Sequence, residues 1–111
     1  MKWKDDMVGS LLSLNNMYTR ESAKRLFGKG HHKLIDELYD RLRPEQIQGI
    51  KHKYGRIDLY INGSDEEQDF GYEIERESER TCEICGEPGE LKDESGWITA
   101  LCDKCYNKRN N

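Results

Sequence analysis

Apolar residues in the first forty or so positions of the chain recur with a period close to 3.6, the period of an α-helix. The pattern predicts three short helices, over residues 5–16, 19–27 and 31–43. Thr19 is placed to cap the second helix, and Pro44 is placed to stop the third. The apolar stripes are Met7, Val8, Leu11 and Leu12; Ala23, Leu26 and Phe27; and Leu34, Ile35, Leu38 and Leu42.

After Pro44 the period changes from helical to alternating. Ile57, Leu59 and Ile61 are separated by polar residues, which gives one apolar and one hydrated face. The sequence therefore predicts two strands, over 46–53 and 56–62, joined near Tyr54-Gly55.

A third kind of pattern follows the strands. Ser64 and Glu67 have the spacing of a capping box, which predicts the start of a helix over 65–79. Phe70 and Ile74 lie one turn apart and are expected to face inward, while most other positions are acidic. This helix should present a strongly negative outer surface.

The last segment contains all four cysteines, in two C-x-x-C pairs separated by sixteen residues. Two thiolates from one tight turn can face a single ion, and two such turns complete a closed tetrahedral site of the structural type. Gly86 suits the exit from the first turn, because glycine adopts a positive φ without strain. The sequence predicts a zinc ribbon over 81–106, with Trp97 in its core and a loose tail at 107–111. The predicted ligands are Cys82, Cys85, Cys102 and Cys105.

Other chemistry could use the same cysteines. Two disulfides would require an oxidising compartment, and nothing at the start of the sequence resembles an export signal. A thioredoxin-like redox pair would need only one C-x-x-C within a βαβ pattern. Rubredoxin-type iron uses the same four thiolates, so zinc is favoured over iron by spacing but not by ligand type. His31, His32 and His52 lack a ligand spacing and are expected at a helix start and on a strand surface.

Composition limits the size of the core. Only 34% of the residues are hydrophobic and 36% are charged, so a metal site would supplement a thin core. No apolar run has the length of a membrane span, and we expect a cytoplasmic protein. The predicted class is α+β, with a small domain over 1–80 and the ribbon packed on it.

Charge is segregated along the chain, although the net charge is only −4. Residues 1–57 carry twelve Lys or Arg against seven Asp or Glu, whereas residues 58–96 carry three against fourteen. Such segregation indicates either a partner or a solvated face. The candidate partner-binding carboxylates are Asp65, Glu66, Glu67, Glu73, Glu75 and Glu77, and the candidate nucleic-acid contacts are Lys51, Lys53 and Arg56.

Three stretches of the sequence carry a resemblance to known proteins. They are Ile50 to Tyr60 (IKHKYGRIDLY), Thr81 to Gly89 (TCEICGEPG) and Gly96 to Cys102 (GWITALC). Together with the acidic helix, they resemble a family of small, mostly uncharacterised zinc-ribbon proteins encoded by bacteriophages and prophages. The resemblance implies zinc and a phage-type origin, and it implies no reaction.

The sequence contains no arrangement typical of a catalytic centre. It has no Ser/His/Asp set, no phosphate-binding glycine loop and no metal site with an open position. We therefore expect a protein that is not an enzyme and has no small-molecule substrate. The favoured hypothesis is a module that binds a host protein, such as a nuclease of a defence system, through its acidic surface. The alternative is a nucleic-acid-binding regulator that uses the basic N-terminal half.

Overall fold

The computed structural model describes residues 18–110, and the helix predicted over 5–16 lies outside them. Within this range the chain forms four α-helices and two antiparallel hairpins, which confirms the α+β class. No helix among these residues has the length and apolarity needed to cross a membrane. The helices are α1 (Arg20–Lys24), α2 (His32–Arg41), α3 (Asp65–Glu79) and α4 (Asp103–Asn110); the strands are β1 (Ile47–Lys53), β2 (Arg56–Ile61), β3 (Glu90–Glu94) and β4 (Trp97–Leu101).

The first described helix is shorter than its apolar stripe predicted. The Thr19 side chain accepts a hydrogen bond from the Ser22 amide and caps α1, as expected, but α1 ends at Lys24. Phe27 still packs in the core, whereas Leu26 is 49% exposed. A short stretch with helical spacing therefore gave the correct start but an end three residues too late.

The helix predicted over 31–43 differs from its prediction at both ends. Residues Lys29–His31 form a separate 3₁₀ turn, and α2 begins at His32. α2 ends at Arg41 because Leu42 is extended, and Arg43 is also extended, as a residue before proline prefers. Pro44 opens a second 3₁₀ turn, Pro44–Gln46, rather than simply ending the helix.

The first hairpin agrees closely with the alternating pattern. β1 pairs antiparallel with β2, and Lys53 is opposite Arg56 at the end of the ladder. Tyr54 and Gly55 form the two-residue turn, and their φ angles of 53° and 79° are those of a type I′ turn. This turn matches the twist of the flanking strands, which fixes the register.

α3 covers the outer edge of β2 with its side chains. The Ser78 hydroxyl accepts a hydrogen bond from the Ile57 amide at 2.9 Å, and the Glu75 carboxylate accepts one from the Leu59 amide at 2.7 Å. The Gln68 side chain donates to the Ile61 carbonyl at 2.6 Å. Backbone groups that a third strand would otherwise satisfy are therefore satisfied by the helix.

The hydrophobic core lies between the first two helices, the first hairpin and α3. Its residues come from five elements and the adjoining turns, and Phe70 packs against its edge. The Arg41 guanidinium lies over the Phe70 ring, 4.6 Å from the ring centre. Phe70 and Ile74 face inward as predicted. The buried members are Ala23, Phe27, Leu34, Ile35, Leu38, Tyr39, Leu42, Ile47, Ile50, Ile57 and Ile74.

The C-terminal part differs from the sequence prediction in two respects. Trp97 begins β4 immediately after the Ser95-Gly96 turn and is 70% exposed, because burial in this strand starts only at Thr99. The segment 107–111 was expected to be a loose tail, but α4 extends to Asn110. Asp103 in the first turn and Arg109 in the last suit the helix dipole, and Arg109 pairs with Glu94 at 2.5 Å. The division at residue 80 into a domain and a ribbon stays a prediction.

Candidate metal centre

The four cysteines of the two C-x-x-C pairs converge on one point. Their sulfur atoms all lie within 4.8 Å of one another, and the Cys85 and Cys102 sulfurs are 3.7 Å apart. A tetrahedral ion with metal–sulfur bonds of about 2.3 Å requires sulfur–sulfur distances of about 3.8 Å. The sulfur arrangement is therefore of the right size to hold a metal ion.

A tight turn with glycine at its exit positions the first pair. The Gly86 amide donates to the Cys82 carbonyl at 2.9 Å, and the Cys82 amide donates to the Glu87 carbonyl at 2.8 Å. Gly86 has a φ of 83°, as its place after the second cysteine predicted. Cys82 is fully buried and Cys85 is exposed, so the site lies near the surface with one ligand anchored in the interior.

A helix start, rather than a second hairpin turn, positions the other pair. Cys102 follows β4, and Cys105 lies in the first turn of α4. The Cys105 amide donates to the Cys102 sulfur at 3.4 Å, and the Tyr106 amide donates to the Cys102 carbonyl at 2.9 Å. The first of these donors stabilises the Cys102 thiolate and holds its sulfur in place, and the second belongs to the backbone of the helix.

The second hairpin brings the two pairs together. The Glu83 amide donates to the Ala100 carbonyl at 2.9 Å, which ties the first turn to β4. Gly89 passes so close to β4 that a β-carbon there would lie 2.8 Å from the Leu101 carbonyl carbon. The approach of the two turns is therefore fixed by backbone contacts as well as by the sulfurs.

The four thiols are close enough to affect one another's ionisation. Burial raises the pKa of Cys82, but amide donors from Cys102, Cys85 and Ile84 outweigh burial and bring it down to about 6. The neighbouring Cys102 and burial raise the pKa of Cys105 to about 12. One thiolate forms readily and then opposes ionisation of its neighbours, and a bound dication would relieve that opposition.

The helical half of the chain packs directly against the first cysteine turn. The Gly30 amide donates to the Glu83 carbonyl at 2.9 Å, and a β-carbon at Gly30 would lie only 1.9 Å from the Cys82 carbonyl oxygen. His31 is fully buried, and its Nε2 lies 2.9 Å from the Thr81 carbonyl oxygen. Sequence reasoning missed both supports, because neither residue has a periodicity or spacing related to the cysteines.

The three histidines occupy different environments. His31 lies in the 3₁₀ turn, where burial lowers its pKa more than its contact with Thr81 raises it. His32 begins α2, as expected, and its Nε2 contacts the Lys24 carbonyl oxygen at 2.8 Å. His52 is exposed on β1, as expected, with its Nε2 3.5 Å from the Glu83 carboxylate. None of them belongs to the sulfur cluster found in the described part of the chain.

The candidate partner-binding carboxylates on α3 fall into two groups. Glu67 completes the capping box at the Ser64 amide, and Glu75 accepts a hydrogen bond from the Leu59 amide at the edge of β2. Both are half-buried and hold the fold together, whereas the others are exposed. Glu73 and Glu77 each pair with an arginine three residues later, at 2.8 and 3.0 Å, respectively.

The first turns of α3 carry the carboxylates that are not engaged. Within residues 18–110, the side chains of Asp65, Glu66 and Asp69 make no hydrogen bond or ion pair, and all three are exposed. Asp69 was not among the residues singled out from the sequence. Its position one turn after Asp65 and one turn before Glu73 was the signal that could have identified it.

The candidate nucleic-acid contacts are also not equivalent. Lys51 and Lys53 are exposed on β1, with their ammonium groups 5.8 and 5.5 Å from the ring centres of Tyr60 and Tyr54, respectively. Arg56 is held by Glu79 at 3.3 Å and approaches Asp58 at 3.8 Å. Two of the three cations therefore remain available to a ligand.

Comparison with known proteins adds no identification. No family model, no curated protein and no solved structure matches the chain. Its function has to be inferred from the residues and their geometry.

Proposed function

We propose that this chain is a non-enzymatic zinc protein that captures a host protein through the exposed carboxylates of α3. The zinc part rests on the four convergent sulfurs, because a closed set of four thiolates is typical of structural zinc. A closed set also leaves no coordination position for water or substrate, which supports a role in stability rather than catalysis.

Elemental analysis of the purified protein tests the metal directly. We expect one zinc per chain, and a chain with Cys85 and Cys102 replaced by serine should contain none. Rubredoxin-type iron would give a coloured protein with iron in place of zinc, which would refute the zinc assignment while keeping the site.

The observation that carries the partner-binding part is the stripe formed by Asp65, Asp69 and Glu73. These carboxylates lie one turn apart on the exposed face of α3, and Glu66 lies beside them. Like charges at this spacing destabilise a helix by about 0.2–0.5 kcal/mol per pair. Because Arg76 already pairs with Glu73, the cost falls mainly on the other two members of the stripe, Asp65 and Asp69. Attraction of a basic partner would offset that cost, since complementary charge accelerates association.

The partner would be a protein with a basic surface, such as one that itself binds nucleic acid. The resemblance to phage-encoded proteins supports a host protein in this role. Tyr72 supports a protein partner as well, because it is 52% exposed on α3 near Asp69, and tyrosine is enriched at interface hot spots.

Affinity capture from host lysate with matched variants tests this function. The test variant replaces Asp65, Glu66 and Asp69 with Asn, Gln and Asn, respectively, which removes charge but spares Glu67 and Glu75. The matched control removes three exposed carboxylates elsewhere, Glu21→Gln, Glu37→Gln and Glu87→Gln. Wild type and control should retain the same protein at low salt, and the test variant should lose it. Equal capture by all three would mean that the acidic face is only a solvated surface.

Nucleic-acid binding is the second candidate, and the exposed Lys51 and Lys53 favour it. Both ammonium groups stand beside tyrosine rings, an arrangement of cations and aromatics that suits single strands more than duplexes. An electrophoretic shift with nonspecific DNA or RNA that weakens as salt is raised would support this candidate.

A further inference from the structure

The tips of the two hairpins enclose a cleft that contains two exposed aromatic rings. The cleft has a volume of 480 Å³ and is lined on one side by Lys53, Tyr54 and Gly55 and on the other by the stretch from Gly96 to Thr99. Trp97 is 70% exposed and Tyr54 is 66% exposed, the highest values among the large hydrophobic residues of the described chain. A cleft lined by two such exposed rings is unusual for a region with no binding role.

Tyr54 occupies its turn position at an energetic cost. Its φ of 53° lies in the left-handed region, where glycine or asparagine would be strained less than an aromatic residue. The ring does not recover this cost by burial, since most of its surface faces solvent. Strain without a packing benefit is typical of residues that contact a ligand.

The two sides of the cleft are held in fixed positions. A β-carbon on Gly55 would lie 3.0 Å from the Thr99 α-carbon, so the first hairpin tip rests directly on β4. Thr99 also lines the cleft and is 4% exposed, and its hydroxyl has no hydrogen-bond partner among residues 18–110. The cleft therefore combines a rigid floor with an unsatisfied polar group.

The charges around the cleft favour an anionic ligand. Lys53 and Arg109 line it together with a single carboxylate, Glu83. Arg109 is itself already paired with Glu94 at 2.5 Å. The Glu83 carboxylate is already engaged by His52 at 3.5 Å and by a backbone amide of β4 at 3.4 Å. Lys53 makes no ion pair within the described range, so its charge is available to a ligand.

Exposed rings beside cations are the combination by which proteins bind single-stranded nucleic acid without sequence preference, because every base has a face that can stack. We propose that this cleft binds single-stranded nucleic acid, with bases stacked on Trp97 and Tyr54 and a phosphate beside Lys53. The site uses none of the α3 carboxylates, so it is independent of the proposed protein-binding function; it rests on the second candidate, nucleic-acid binding, and assigns that binding to the cleft and Trp97.

Fluorescence anisotropy with the full-length zinc-loaded protein tests the proposal. The probe is a fluorescein-labelled oligothymidylate of about 15 nucleotides, in buffer with about 50 mM salt. Two variants remove the rings without disturbing the backbone: Tyr54→Gly, which suits the positive φ, and Trp97→Thr, which keeps a strand-forming residue. Leu26→Ala removes an exposed apolar side chain outside the cleft and is the control.

Each ring variant should weaken binding about tenfold, while the control binds as wild type does. Tyr54→Gly should melt at or above the wild-type temperature, which separates a ligand role from a structural one. The slope of log K against log salt should be about −0.7 to −1.4, as expected for one or two phosphate contacts, and Lys53→Ala should make it shallower by about 0.7. Absence of oligonucleotide binding, or equal binding by wild type and both ring variants, would overturn the proposal. Preference of the cleft for a proline-rich peptide over the oligonucleotide would also overturn it.

Discussion

Replacement of Gly30 with alanine should separate the helical half of the protein from the cysteine turn. The new β-carbon would lie 1.9 Å from the Cys82 carbonyl oxygen, 2.6 Å from the Glu83 carbonyl carbon and 2.7 Å from the Gly86 amide nitrogen. All three are backbone atoms of the turn that carries two of the clustered cysteines, so no side chain can rotate to make room. One of the two parts must move.

The structure gives the size of the effect. Insertion of a methyl group into packed structure costs about 1–3 kcal/mol, and displacement of the turn would also weaken the Gly30–Glu83 hydrogen bond, worth about 1 kcal/mol. We therefore expect a loss of about 2–4 kcal/mol in the free energy of unfolding. In a domain of this size each kcal/mol lowers the melting temperature by about 4–8 °C.

Thermal unfolding followed by circular dichroism, with zinc in slight excess, measures this loss. Lys29→Ala is the matched control, because Lys29 precedes Gly30 in the same 3₁₀ turn and is exposed. The control should melt close to wild type and Gly30→Ala well below both. If Gly30→Ala melts within about 2 °C of the control, the contact between the helical half and the cysteine turn does not stabilise the protein.

Three further changes test the site and its supports. Cys102→Ser should abolish stoichiometric metal and unfold the region from Cys82 onward, so that it melts like the parent in excess chelator; a melt unchanged from that of the zinc-loaded parent would exclude a structural metal. Glu75→Ala should lower the free energy of unfolding, measured by chemical denaturation, by about 1–3 kcal/mol because it leaves the Leu59 amide without its acceptor. A loss no larger than that caused by removing an exposed carboxylate would contradict this contact. Burial lowers the pKa of His31 in the folded state, so its protonation favours unfolding and stability should fall as pH drops below about 6.5. His31→Gln should reduce that slope by up to about 1.4 kcal/mol per pH unit relative to wild type, and identical slopes would refute the assignment.

The parts of the fold that the sequence predicted best are those governed by local rules. α3 has the predicted bounds because its capping box and its first-turn acids act within one turn of helix. The first hairpin was predicted well because strict alternation and a Tyr-Gly turn together determine its register. The convergence of the four cysteines was predicted correctly because two residues between the cysteines of a pair let both sulfurs of one turn face the same point.

The parts that the sequence did not predict depend on contacts between distant segments. Trp97 was expected in the core because it is apolar, but its place at a hairpin tip, beyond the buried end of β4, keeps it exposed. α4 extends to Asn110, and Arg109 in its last turn pairs with Glu94, fifteen residues earlier in the chain. Glu75 was predicted only as one of six candidate partner-binding carboxylates. Its position over the edge of β2, which the sequence does not show, distinguishes it from the others.

The hydrogen bonds that α3 side chains make along the outer edge of β2 have a consequence for the chain during its synthesis. The hairpin leaves the ribosome before residues 65–79 do, so for an interval β2 presents free amides at its edge. A free strand edge can pair with another chain, which leads to aggregation. We expect a fragment ending at Gly63 to self-associate and the same fragment extended through Arg80 to remain monomeric. The acidic helix would then act as an intramolecular chaperone for the strand made just before it.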